Sequence, residues 1–118
     1  MDLVYQGANG PEVIFNVTPE MITVGSMFYS HDIAIDHFGN PHVIFSYHQA
    51  SGIDGGYAKD TRVSFYAHRD NNGWQVTAAP ELADGHKFSL AMDSTGVAHI
   101  AYYTNRNTMF YAKHSATD

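Results

Sequence analysis

Apolar positions along this chain fall in short runs broken by Gly, Asn and Asp, with no stretch holding the three-to-four residue spacing of an amphipathic helix. The runs at 33–36, 42–48, 63–68, 73–78, 89–93, 98–103 and 108–113 read as strands. An Asp-x-x-Gly turn separates the first run from the second, and another separates 89–93 from 98–103. In each, the Asp side chain can cap backbone N–H groups while Gly supplies a positive φ. Such tight connections predict antiparallel meanders.

The runs form a repeat. Ile33-Ala34-Ile35-Asp36-His37-Phe38-Gly39-Asn40-Pro41-His42-Val43-Ile44-Phe45 aligns without a gap on Leu90-Ala91-Met92-Asp93-Ser94-Thr95-Gly96-Val97-Ala98-His99-Ile100-Ala101-Tyr102. Further on, Ser64-Phe65-Tyr66-Ala67 matches Met109-Phe110-Tyr111-Ala112. The first copy is longer between its second and third strands, and the extra segment, 49–61, reads as an exposed Gly-rich loop. Asn72-Gly73-Trp74-Gln75-Val76 has a weaker partner in Asn9-Gly10-Pro11-Glu12-Val13.

A four-stranded meander repeated in this way predicts an all-β chain of β-propeller blades, about two per chain. The units are a partial blade with a last strand (1–30), a blade (31–80) and a blade without its fourth strand (81–118). Closed propellers use about 4 to 8 blades. The ring is therefore expected to be completed by oligomerisation or by further sequence. Head-to-tail association of three chains would give about six blades, with a strand at 12–17 passing to the neighbouring chain as the fourth strand of the last sheet.

The string from Ser89 to Tyr103, followed by Met109-Phe110-Tyr111-Ala112-Lys113, resembles the blade repeat of exported bacterial β-propellers of the sialidase-like and lectin-like group. The resemblance implies carbohydrate recognition by a ring-shaped lectin-like module, and a secreted or cell-surface bacterial origin. Blades of this kind also serve glycosidases, polysaccharide lyases and scaffolds. The Ser-x-Asp-x-Gly-x-Thr-Trp box of sialidases does not occur, and Arg62, Arg69 and Arg106 do not sit at equivalent blade positions.

Composition narrows the partners. A formal net charge of -6 with only 6 Lys and Arg leaves no basic stripe for a phosphate backbone, so nucleic acid is not an expected partner. No apolar run approaches the roughly 20 residues of a helical membrane span. With no Cys there is neither disulfide framework nor thiolate metal site, and no cofactor is expected.

Candidate chemistry falls into three groups. Trp74, Tyr47, Tyr57 and Tyr103 offer flat apolar faces with polar edges that suit stacking on sugars, beside the hydrogen-bonding side chain of Asn72. His31, Asp32 and Arg62 lie where propeller active sites gather, and Asp32 stands out because the other copy has Ser89 there. They supply a base, a carboxylate and a cation for a polysaccharide lyase or hydrolase. Eight His invite a metal reading, with His31, His42 and His48 as the set that could converge. His42 and His99, however, recur at one repeat position, which favours a structural role, with a hydrogen bond to the Asp-x-x-Gly turn or to an adjacent blade. Asp36 and Asp93 are likewise sufficiently explained as turn caps. A non-catalytic binding module is thus the leading expectation, ahead of an enzyme or a purely structural self-assembling ring.

Overall fold

The computed structural model describes residues 2–16, 27–54, 57–82, 85–104 and 108–115. Among these residues the strands are β1 (Asp2–Gly7), β2 (Gly10–Asn16), β3 (Met27–Ile35), β4 (Pro41–Asp54), β5 (Tyr57–Asp70), β6 (Gly73–Ala78), β7 (His86–Met92), β8 (Val97–Tyr103) and β9 (Met109–Ser115). They form three antiparallel sheets with strand orders β1-β2, β3-β4-β5-β6 and β7-β8-β9. A short 3-10 turn, Pro80–Leu82, follows β6. The fold is all-β, and its four-stranded central sheet is an antiparallel meander like one propeller blade. Among the described residues no closed ring is present.

The central sheet is packed on both faces. Residues 41–47 of β4 are buried without a break, as a strand covered on both sides must be. Because side chains alternate, Ile44 joins Tyr66 in a cluster with Leu90, Ala98, Ile100 and Tyr102 of the third sheet. Val43, Phe45 and Ala67 point the other way and pack with Leu3, Tyr5, Ile14 and Phe15 of the first sheet. Each such side chain taken fully from water stabilises the fold by about 1.5–3 kcal/mol. Aromatic pairs reinforce the first joint: Phe15 lies 5.4 Å from Phe45 and 5.0 Å from Phe65, centroid to centroid. An Arg69 to Glu12 ion pair of 2.8 Å closes its rim.

The segment 49–61 differs from the loop expected there. β4 and β5 continue through it as one long hairpin, pairing Gln49 with Thr61 and Asp54 with Tyr57. Extended pairing satisfies backbone N–H and C=O groups that a loop would leave to water. The register shifts only between Ala50 and Ile53. The strand expected at 12–17 lies in β2 as far as Asn16, paired with β1 of its own chain; Val17 is outside the described residues.

Candidate functional site

The two Asp-x-x-Gly turns have the same construction. Asp36 Oδ1 accepts the N–H groups of Phe38 and Asn40, each at 2.9 Å, and Asp93 Oδ1 accepts those of Thr95 at 2.8 Å and Val97 at 3.0 Å. Gly39 and Gly96 close the turns at φ 85° and 86°, a conformation that glycine adopts without steric cost.

Each turn then engages a histidine and a tyrosine. Asp36 Oδ2 lies 2.8 Å from His42 Nε2, and His42 Nδ1 meets the Tyr66 hydroxyl. One repeat later, Asp93 Oδ2 lies 2.9 Å from His99 Nε2, whose Nδ1 meets the Tyr111 hydroxyl. With the carboxylate ionised, Nε2 carries the donated proton and Nδ1 accepts the phenolic one. Burial opposes ionisation of Asp36, but hydrogen bonds from His42 and from the Asn40 and Phe38 N–H groups outweigh it and hold this carboxyl below its ordinary range. Hydrogen bonds from Thr95 and His99 place Asp93 well below that range as well. Burial, with the charge of Asp36 adding to it, pushes the Tyr66 phenol well above its usual value.

The two constellations differ in their cover. Tyr66 is 2% exposed because the third sheet packs over it, bringing His114 to 4.3 Å between ring centroids. Tyr111 is 60% exposed. It stands on the far face of the third sheet with Tyr103 and Met109, both also exposed, since cross-strand partners share a face. That face is the repeat equivalent of the covered face of the central sheet.

The residues expected to bind sugar are scattered. Tyr47 is fully buried, in contact range of Phe15 at 6.2 Å between centroids, so it has no face free for a ligand; this corrects its expected role. Trp74 is half-buried in the joint with the first sheet, its ring 5.6 Å from that of Tyr5, and its buried indole N–H has no acceptor among the described residues. Asn72 is exposed in the β5–β6 turn, where its N–H reaches Asp70 Oδ1 at 2.8 Å. Only Tyr103 and Asn72 of this set carry described, exposed side chains, and they belong to different sheets.

Of the expected metal set, His31 and His42 lie apart. His31 opposes Phe45 and His42 opposes Ala34, so the two histidines project from opposite faces of the central sheet and cannot share an ion. Both His42 ring nitrogens are engaged, and among the described residues no group of three or more His, Asp or Glu is placed to hold a metal. Asp32 Oδ1 accepts the N–H of Ile33 at 2.9 Å and Oδ2 that of Leu90 at 2.7 Å. Together with Ser30, whose hydroxyl accepts the Phe88 N–H at 3.3 Å, it fastens β3 to the edge of β7. The backbones of His48, Tyr57 and Arg62 lie in β4 and β5; their side chains are outside the described residues.

One cleft of about 300 Å³ lies between β1 and β3, walled by Leu3, Tyr5, Ile14, Ile33 and Val43, with His31 beside them. His31 and Asp32 both line this cleft, and its apolar wall needs the first sheet in place. No protein-family model matches the chain, and neither the curated proteins nor the solved structures contain a significant match.

Proposed function

We propose that this chain is a β-propeller blade module that acts as part of an assembled binding module, its ring completed head to tail by further copies. The observation that carries this reading is the pair of twin constellations, Asp36–His42–Tyr66 under cover and Asp93–His99–Tyr111 in the open. A face that the next sheet covers within the chain is the natural seat for the next sheet of a neighbour. At the opposite end the first sheet leaves Val4 and Val13 exposed, so the contact joins two unlike faces and closes when its rotation divides a full turn. Light scattering tests this directly. A mass near three protomers is expected, and a monomer at micromolar concentration overturns the reading.

Carbohydrate is the ligand class favoured by the resemblance to sialidase-like and lectin-like blades, and Asn72, exposed in the β5–β6 turn and so clear of the sheet faces that the ring would bury, is the side chain of the expected set that supports it best. Repeated weak sites around a ring gain avidity without new contacts. A glycan array read with the native chain and with Asn72→Ala tests it; a broad array without a binder removes this ligand class. The enzyme alternative loses support because the Asp32 carboxylate is spent on two backbone N–H groups.

A further inference from the structure

Burial across the repeat is uneven at a second place. Ile33 of β3 and Leu90 of β7 are repeat equivalents, yet Ile33 is 48% exposed and Leu90 only 7%. Leu90 lies in the core formed with Ile44 of β4 and Ala34 of β3 in the central sheet. Over Ile33 the covering sheet has two strands where the central sheet has four. Among the described residues cover therefore stops at β1, and the cleft beside it is the space they leave. Its walls are apolar on one side and a strand edge on the other: among the described residues β1 pairs with β2 alone.

We propose that this cleft is an acceptor site for an extended polypeptide strand, which adds antiparallel to the open edge of β1 and seats alternate apolar side chains over Ile33 and Val43. Main-chain hydrogen bonds to a strand edge supply affinity in such sites, and pockets for every second side chain supply selection. The chain's own sheets define the chemistry of the ligand. Tyr5, Tyr66 and Tyr111 follow an apolar residue in β1, β5 and β9 alike, and β5 and β9 are flanked by β4 and β8. β8 presents Ala98, Ile100 and Tyr102 on its buried face. A strand of that composition, apolar at alternate positions and without charge, is what the β1 edge lacks. A sugar or a nucleotide would meet walls with few polar groups, because the Asp32 carboxylate is already engaged. The site is separate from the open face of the third sheet, so it stands whatever covers that face.

Trp74 is the only tryptophan and packs on Tyr5 of β1, so its fluorescence reports on this edge. The test is a titration of the full chain with a capped peptide of the β8 sequence Val97–Tyr103, which contains no tryptophan. Two further peptides carry N-methyl groups on alternate residues, in the two possible frames. A saturable change is expected, retained with one methylated frame and weakened about tenfold or more with the other, since only one row of N–H groups faces β1. Ile33→Lys, at an exposed position that the fold tolerates, is expected to weaken binding by a similar factor with an unchanged circular dichroism spectrum. Absence of a saturable change, equal binding of both methylated frames, or undiminished binding by Ile33→Lys each overturns the proposal.

Discussion

His42 and His99 hold the same bonds in successive sheets, one ring nitrogen to the Asp of its turn and the other to a tyrosine on the next strand, yet the His42 side chain is 3% exposed and that of His99 33%. The difference arises from stacking alone, because the local geometry is shared. It makes the chain its own control: a substitution tested at one site has a matched partner at the other, with burial as the variable.

The tyrosines give the cleanest comparison. Tyr66→Phe leaves His42 Nδ1 buried without its donor, an uncompensated loss that typically costs about 1–3 kcal/mol. In the dissociated single chain, Tyr111→Phe leaves His99 Nδ1 open to water, which replaces the lost donor, so at concentrations too low for association the change should stay within about 0.5 kcal/mol. Urea unfolding of both variants at neutral pH checks this. Equal losses would mean that the far face of the third sheet is covered under the conditions measured, which a dilution series would then expose.

Acid should weaken the fold in two steps whose signs follow from the same groups. Burial, with His42 next to it, lowers the His68 pKa, so the unfolded chain takes up that proton first. Its contribution is complete above about pH 6.5 and declines as the pH falls below it. Asp36 is held low by His42 and two backbone N–H groups against the opposing effect of burial, and Asp93 by Thr95 and His99. Both carboxylates therefore stabilise fully above about pH 4 and lose that contribution as protonation proceeds below it. Urea midpoints measured across this range should show both declines. His68→Gln removes the upper one, and Asp36→Asn reduces the lower.

How much of this was legible beforehand depends on the range of the interaction. The strands and both Asp-x-x-Gly turns rest on neighbouring residues, so alternation and turn chemistry reveal them, and the recurrence of a histidine six residues after each Asp marks it as structural, though the structure alone decides between the turn and an adjacent blade as its partner. Tyr66 and Tyr111 escape that reading, because they reach the histidines only through the register of β5 on β4 and of β9 on β8. Tyr47 and Trp74 look like sugar platforms for a related reason: an aromatic ring has the same apolar face whether it meets a ligand or Phe15 and Tyr5. Which one it meets is decided by the first sheet. The 49–61 segment has the composition of a loop, yet its length is used in cross-strand pairing from Gln49 to Asp54.

The turn glycines offer a test free of packing. A Cβ built on Gly39 or Gly96 has no heavy atom within 4 Å, and φ is positive at both. Gly39→Ala and Gly96→Ala should therefore each cost about 1 kcal/mol through backbone strain alone. Near-equal losses are expected here, in contrast to the tyrosine pair, since the turns differ in cover but not in conformation. Thermal or urea unfolding of the two variants, compared side by side, measures it.

Asp32 separates a fastening role from a catalytic one. Its carboxylate bridges the Ile33 N–H of its own strand and the Leu90 N–H of β7, so removing it strands a donor at the joint between two sheets. Hydrogen bonds to a charged acceptor are worth about 1.5–3 kcal/mol, and Asp32→Ala should destabilise the chain by an amount of that order. Asp32→Asn keeps one oxygen able to accept and should recover part of the loss, whichever N–H it serves. Amide hydrogen exchange gives the local reading: the Leu90 N–H should exchange faster in Asp32→Ala than in the native chain, while amides of the β1–β2 pair, which Asp32 does not bond, should keep their protection. A variant of native stability with an unchanged Leu90 amide would show that the joint is held by apolar contact between the sheets alone, through Leu90, Ile44 and Ala34.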